Sequence, residues 1–296
     1  MRRRLIAILL LVAGTLHAQE QVPDTAKTKK QVATPSGYTR QIDAVYTHVD
    51  NWDGRMDIYL PAKGSKPTPL VINIHGGGWN HGTKEEQTGF SAFFKAGYAV
   101  ANVEYRLVQV AKAPGAIEDI RCAMIYLIKN AKSLNIDVNK IVISGGSSGG
   151  HLALMGGLLA NDHRFDTNCP GVENIKVAAI IDKYGITDVW DWGYGVIKSK
   201  SAINWLGTHA TDKDFANTVS PIAYVKKSSP PTIIIHGNAD TTVPYQQSVN
   251  LHQKFLDAGV KTEFIPVEGG GHGKFTPDKN RELDAAIMKF LKEVGI

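Results

Sequence analysis

The spacing of hydrophobic positions changes several times along this chain, and each change marks a different kind of element. Short apolar runs bounded by Gly, Pro, Asn and Asp predict strands over 42–48, 55–60 and 70–75. Asn51-Trp52-Asp53-Gly54 lies between the first two as a turn. From residue 99 onward, strand-like runs at 99–104, 140–144, 177–184, 232–236 and 262–267 alternate with helical spacing at 117–129, 148–159, 246–258 and 281–294. Ile141-Val142-Ile143 and Ile233-Ile234-Ile235 are apolar at every position, as strands covered on both faces require. In the helical stretch, Ile117, Ile120, Met124, Leu127 and Ile128 repeat at i, i+3, i+4 and form one stripe for a sheet face. The alternation predicts a mostly parallel central sheet flanked by helices, an α/β domain. Residues 188–227 fit neither period well. They read as a small insertion of short helices between two strands.

Composition limits the fold class, and the first residues bear on location. The chain has 296 residues with 43% hydrophobic and 21% charged, enough for a large core and too apolar for a disordered chain. Twenty-nine Gly and 13 Pro favour many tight turns over a helical bundle. Arg2, Arg3 and Arg4 precede a short apolar run that ends near Leu16-His17-Ala18. That order predicts a signal peptide over 1–18 and an exported, periplasmic or secreted protein, with an uncleaved membrane anchor as the alternative. The run falls short of the roughly 20 apolar residues a bilayer span needs, so no stable membrane association is expected once it is removed. These three arginines supply three of the five net positive charges and leave +2, so nothing points to nucleic acid. Residues 19–41, rich in Lys, Thr and Gln, read as a flexible linker, and 42–296 as the folded domain. The chain has two cysteines, Cys122 and Cys169. An oxidising compartment permits a bridge, while the apolar helical surroundings of Cys122 equally suit a buried thiol.

Four loops at the carboxyl ends of predicted strands carry the candidate chemistry. Gly145-Gly146-Ser147-Ser148-Gly149 stands between a strand and a helix, the arrangement of a nucleophile elbow that exposes Ser147. A second frame, Gly146 to Gly150, would expose Ser148 instead. His75-Gly76-Gly77-Gly78-Trp79 follows a strand, and three consecutive glycines let backbone N–H groups face a developing oxyanion. Within His236-Gly237-Asn238-Ala239-Asp240, the carboxylate of Asp240 suits the orientation of an imidazole. Gly269-Gly270-Gly271-His272-Gly273 provides that imidazole. Ser147, Asp240 and His272 occur in the chain order expected of a serine hydrolase on such a sheet. No Gly-Lys-Ser/Thr phosphate loop and no His-Glu-x-x-His or Cys-rich metal spacing occurs, so no metal and no cofactor is expected. Trp79, Trp190 and Trp192, with Tyr194 and Trp205, are candidates to line a substrate pocket or to pack the insertion onto the domain. His151 and His75 are expected to be hydrogen-bonding residues.

These motifs resemble those of the α/β-hydrolase serine esterases, in the group that joins His75 to Trp79, Gly145 to Leu152 and His236 to Pro244 and includes feruloyl, acetylxylan and general carboxylesterase members. Tyr105-Arg106-Leu107 and Glu118-Asp119 look like the group's intervening stretch. The resemblance implies an α/β-hydrolase fold, Ser147 as nucleophile, His272 as base and Asp240 as its acid. It also implies an oxyanion hole of Gly76, Gly77 and Ser148, with Gly78 as the alternative. Gly146 stands where hormone-sensitive-lipase-like members carry an acid, which sets the chain apart from that branch. The expected substrate is a small-molecule or polysaccharide-linked ester with a small acyl group, such as acetyl or feruloyl. A serine peptidase or a non-catalytic binding protein on the same scaffold are the alternatives.

Overall fold

The computed structural model describes residues 32–296 apart from 65, 170 and 173. The signal peptide expected over 1–18 and the linker over 19–31 lie outside the described residues. The chain begins with an antiparallel hairpin, β1 (Tyr38–Val49) and β2 (Trp52–Pro61). Strand β1 starts four residues inside the stretch expected to be linker, because its backbone pairs with β2 from Tyr38↔Pro61 onward. The turn is also shorter than expected. Val49 pairs with Trp52, leaving Asp50 and Asn51 as the loop, with Asp50 at φ 52. Gly54 belongs to β2 instead: a Cβ there would lie 2.6 Å from the Tyr46 ring, so this glycine admits the cross-strand aromatic.

Strand β3 (Thr68–Ile74), helix α1 (Ser91–Lys95), strand β4 (Ala99–Val103), helices α2 (Gly115–Lys129) and α3 (Ala131–Leu134), strand β5 (Ile136–Gly146), helix α4 (Ser148–Leu159) and strand β6 (Ala179–Lys183) follow. The insertion contributes α5 (Val189–Tyr194), α6 (Lys200–Leu206) and α7 (Lys213–Thr218). After it come β7 (Thr232–Gly237), α8 (Tyr245–Asp257), β8 (Thr262–Val267) and α9 (Pro277–Glu293). Among the described residues one eight-stranded sheet forms, in the order β1-β2-β4-β3-β5-β6-β7-β8. It is parallel from β4 to β8 and antiparallel at β1–β2 and β2–β4.

Period-two alternation sends neighbouring residues of each central strand to opposite faces. Ile72, Ile143, Ile180 and Ile234 meet α2, α4 and α8 on one face, while Val71, Val142, Ile181 and Ile233 meet α1 and α9 on the other. Burying each such side chain contributes about 1.5–3 kcal/mol, so the doubly covered centre holds the strand ends rigidly. Every residue of α4 is buried, and its first turn starts at the site described below. Cys122 on α2 and Cys169 in the segment after α4 form a disulfide, deciding the choice the sequence left open. Among the described residues, no helix is long and apolar enough to cross a membrane.

Candidate active site

Strand β5 runs directly into α4 through Ser147, whose backbone takes φ 58, ψ −124. L-residues rarely adopt this conformation, and it persists only where the surroundings over-determine it. Here the determinants are steric. A methyl group on Gly145 would run into the Gly149 carbonyl, and one on Gly149 into the Ile74 carbonyl. The Ser147 N–H donates to the Lys183 carbonyl at 2.9 Å, and its own carbonyl accepts the His151 N–H at 3.0 Å to open the helix. Of the two serines in the glycine-serine run, Ser147 stands at the turn itself. Ser148 is fully buried, with its Oγ 3.3 Å from the Tyr105 hydroxyl.

Three side chains from distant parts of the chain meet above the strand ends. Ser147 Oγ is 2.9 Å from His272 Nε2, and His272 Nδ1 is 2.6 Å from Asp240 Oδ2. A carboxylate beside Nδ1 requires the N–H there, which leaves Nε2 to accept a hydrogen bond from the Ser147 hydroxyl. The other Asp240 oxygen accepts the N–H groups of Thr242 at 2.7 Å and Val243 at 3.1 Å. Burial opposes ionisation of this carboxyl, but hydrogen bonds from His236, His272 and the Thr242 N–H outweigh it and hold its pKa well below the usual range.

Two neighbours of this constellation have no assigned role in the sequence. His236 Nε2 lies 3.1 Å from both Asp240 Oδ2 and the Val243 carbonyl, so it donates, and His236 Nδ1 accepts from the Ser248 hydroxyl at 2.7 Å. His236 opens the motif that contains Asp240, which was the available signal. Tyr184, at φ 44, sets its ring edge-on to His272 with centroids 4.8 Å apart. No feature of the sequence marks it.

The glycine run after β3 lies against the serine. A Cβ on Gly76 would sit 3.4 Å from Ser147 Cβ and 2.8 Å from the Gly146 carbonyl, and Gly77 and Gly78 take φ +117 and +60. Ser148 occupies the first turn of α4, where N–H groups have no acceptor within the helix. His75 is buried against Tyr105, and burial pulls its pKa down to about 4. His151 is equally buried, is brought down to about 4 for the same reason, and hydrogen-bonds the Val219 carbonyl at 2.8 Å. The Arg106 guanidinium pairs with Asp119 at 2.9 Å and with Glu118 at 3.0 Å, fastening the loop after β4 to α2.

A cavity of about 690 Å³ opens over Ser147 and His272, with Gly76, Gly77, Tyr184 and Trp192 in its wall. Of the three expected pocket tryptophans, only Trp192 reaches it, with its indole N–H on the Thr242 carbonyl at 2.8 Å. Trp79 does not line the cavity. It is fully buried, stacks on Trp205 with centroids 4.1 Å apart, and packs the insertion onto the domain. Trp190 is also absent from the wall and stacks on Tyr194 of its own helix. Both substitute core or local packing for the expected substrate contact. Among the described residues, no three His, Cys, Asp or Glu side chains group as metal ligands.

An eight-stranded, mostly parallel sheet with a strained serine at the β5–α4 turn and a histidine beyond β8 defines an α/β-hydrolase fold. The sequence model of the BD-FAE family matches residues 56–255, and the chain belongs to that family. It is similar to esterase LipC of Mycobacterium tuberculosis, with 27% identity over 244 residues, 78% of this chain and 59% of that protein. A truncated carbohydrate esterase from gut microbiota superposes with a TM-score of 0.76 at 28% identity, over 89% of this chain and 100% of that one. Esterase 2 of Thermogutta terrifontis superposes with a TM-score of 0.73 at 26% identity, over 88% and 96%. The chain spans between 47% and 59% of the length of the first three curated relatives it matches.

Proposed function

We propose that this protein is an exported serine carboxylic-ester hydrolase that removes small acyl groups, such as acetyl or feruloyl, from plant polysaccharide. The observation that carries the reading is the continuous series Ser147 Oγ, His272 Nε2, His272 Nδ1 and Asp240 Oδ2, with gaps of 2.9 and 2.6 Å, at the floor of an open cavity. In this reading His272 takes the serine proton as Ser147 Oγ attacks the ester carbonyl carbon. Asp240 keeps the imidazole in the required tautomer and stabilises the imidazolium that forms. The N–H groups of Gly76, Gly77 and Ser148 receive the developing negative charge, each donor contributing about 3 kcal/mol. His272 then passes its proton to the leaving alcohol. Water, deprotonated by the same histidine, attacks the acyl-serine, releases the acid and restores the hydroxyl.

Several features support the finer parts. The cavity volume falls within the roughly 300–1,000 Å³ typical of small-ligand sites. A carbohydrate esterase is among the similar structures. The Cys122–Cys169 bond suits an oxidising compartment, as does the basic and then apolar start of the sequence.

The test compares 4-nitrophenyl acetate turnover and labelling by a serine-reactive phosphonate in the wild type, Ser147→Ala and Ser148→Ala. Ser147→Ala is expected to lose labelling and at least about 10³-fold in kcat. Full activity in Ser147→Ala would overturn the assignment, and peptide amide cleavage outpacing ester cleavage would move the protein to the peptidases. A panel of acetyl, feruloyl, butyryl and long-chain esters, including acetylated xylan, reads the acyl size and the alcohol.

A further inference from the structure

The cavity continues past Ser147 onto the sheet face that α1 and α9 cover, where Asn73, Gln87 and Lys183 line it. Lys183 is the last residue of β6, in register with Gly146, and its carbonyl holds the Ser147 N–H. It shares a sheet face with Ile181, whose side chain packs in the core beneath α9. Lys183 also lines a smaller adjoining cavity of about 100 Å³, shared with Tyr184, Phe275 and Asp284.

The electrostatics of this wall are one-sided. Among the described residues lining the main cavity there is no Asp or Glu, and Lys183 is the one Lys or Arg. The carboxylate of Asp240 is near but fully buried and is already engaged by His272 and His236. Lys183 has no ion pair or side-chain hydrogen bond among the described residues. Burial lowers its pKa, and Asp284 on α9 opposes this from beyond contact distance. Asp284 itself is raised by burial, with Lys183 pulling the other way. A half-buried ammonium without a contacting counter-charge stands to gain more from an arriving carboxylate than a fully exposed one would.

We propose that Lys183 forms an anion subsite in the cavity wall that also holds Asn73 and Gln87, and that the preferred substrates are esters carrying a free carboxylate. The proposal rests on the esterase reading above. The carboxylate belongs to the acyl part or to the alcohol part of the ester, and both place the same chemistry at Lys183.

Two matched substrate pairs test it. For an acid on the acyl side, 4-nitrophenyl hydrogen glutarate is compared with 4-nitrophenyl methyl glutarate. For an acid on the alcohol side, 4-acetoxybenzoate is compared with methyl 4-acetoxybenzoate. The quantity read is the anionic-to-neutral ratio of kcat/KM in the wild type, Lys183→Gln and Lys183→Arg. In one arm the ratio is expected to fall about tenfold or more in Lys183→Gln, the loss expected for one charge-assisted hydrogen bond. Lys183→Arg, which keeps the charge, is expected to retain most of it. An unchanged ratio in both arms overturns the subsite while leaving the esterase reading intact. Absent turnover of all four esters overturns the esterase reading instead.

Binding provides a readout that needs neither turnover nor a Lys183 variant. Calorimetric titration of Ser147→Ala with monomethyl glutarate and dimethyl glutarate is expected to show tighter binding of the anion. Equal binding of the two overturns the proposal.

Discussion

The turn that carries Ser147 and the loop that carries His272 are both dense in glycine, but their glycines answer different needs. At the serine, Gly145 and Gly149 are enforced by backbone carbonyls where their side chains would stand, so strand, turn and helix have one way to pack. At the histidine, Gly269 and Gly271 face open space, and a methyl group on Gly270 or Gly273 would meet only side chains, Phe275 and Val267 in the first case and Tyr184 in the second. The imidazole is held by side-chain partners instead, at Asp240 and Ser147, and by the edge of Tyr184. One of the two side chains is therefore fixed by sterics that any folded molecule must satisfy. The other is fixed by hydrogen bonds that a single substitution can remove.

On that contrast, the largest effect belongs to Asp240→Asn. The variant should keep the fold and lose about 10⁴-fold in kcat, by analogy with triad aspartates whose loss leaves the wrong tautomer. Activity within about tenfold of wild type would mean that the loop backbone alone orients His272. Next comes Gly149→Ala, expected to destabilise by several kcal/mol, about 3 or more, because the obstacle is the Ile74 carbonyl rather than a flexible side chain. Denaturant unfolding measures it, and a loss under about 1 kcal/mol would show that the elbow relaxes.

Asp182 sharpens the comparison from beneath the elbow. Its Oδ1 abuts Gly150 and Gly185, its Oδ2 has no hydrogen-bond partner, and burial raises its pKa to about 7. The folded protein thus keeps a proton that the unfolded chain has released above about pH 4. Stability contributed by this group falls as pH rises from about 4 to 7, by at most about 4 kcal/mol. Asp182→Asn should therefore flatten the decline in unfolding free energy between pH 5 and pH 8, and an unaltered slope would assign it to other groups. The smallest effect is expected of Gly271→Ala, which meets no atom within 4 Å. Its unfolding free energy should stay within about 1 kcal/mol of wild type.

The repeating strand–helix pattern was legible because fully apolar runs such as Ile141-Val142-Ile143 have few other places to go. The glycine-flanked serine was legible because sterics leave a compositional trace. Lys84 shows the opposite case. In sequence it stands in a charged run with Glu85 and Glu86, and no local pattern marks it for burial. In the fold it is buried and pairs at 2.8 Å with Asp57 on β2 and with Asp43 on β1. Trp79 was ambiguous for a related reason. An indole after an oxyanion-type glycine run suits a pocket as well as a core, and only the stack with Trp205, more than a hundred residues away, decides for the core.

Local periodicity and turn chemistry act over a few neighbouring residues, so the order of strands and helices and the sharp turn at Ser147 were determined by the sequence itself. The meeting of Ser147, Asp240 and His272 at hydrogen-bond distance, the bonding of Cys122 to Cys169, and the placement of the Lys183 ammonium among described cavity-lining residues that include no acid were decided only in three dimensions. Each depends on which strand ends lie side by side and on what solvent is excluded there, and neither quantity is carried by any short stretch of chain.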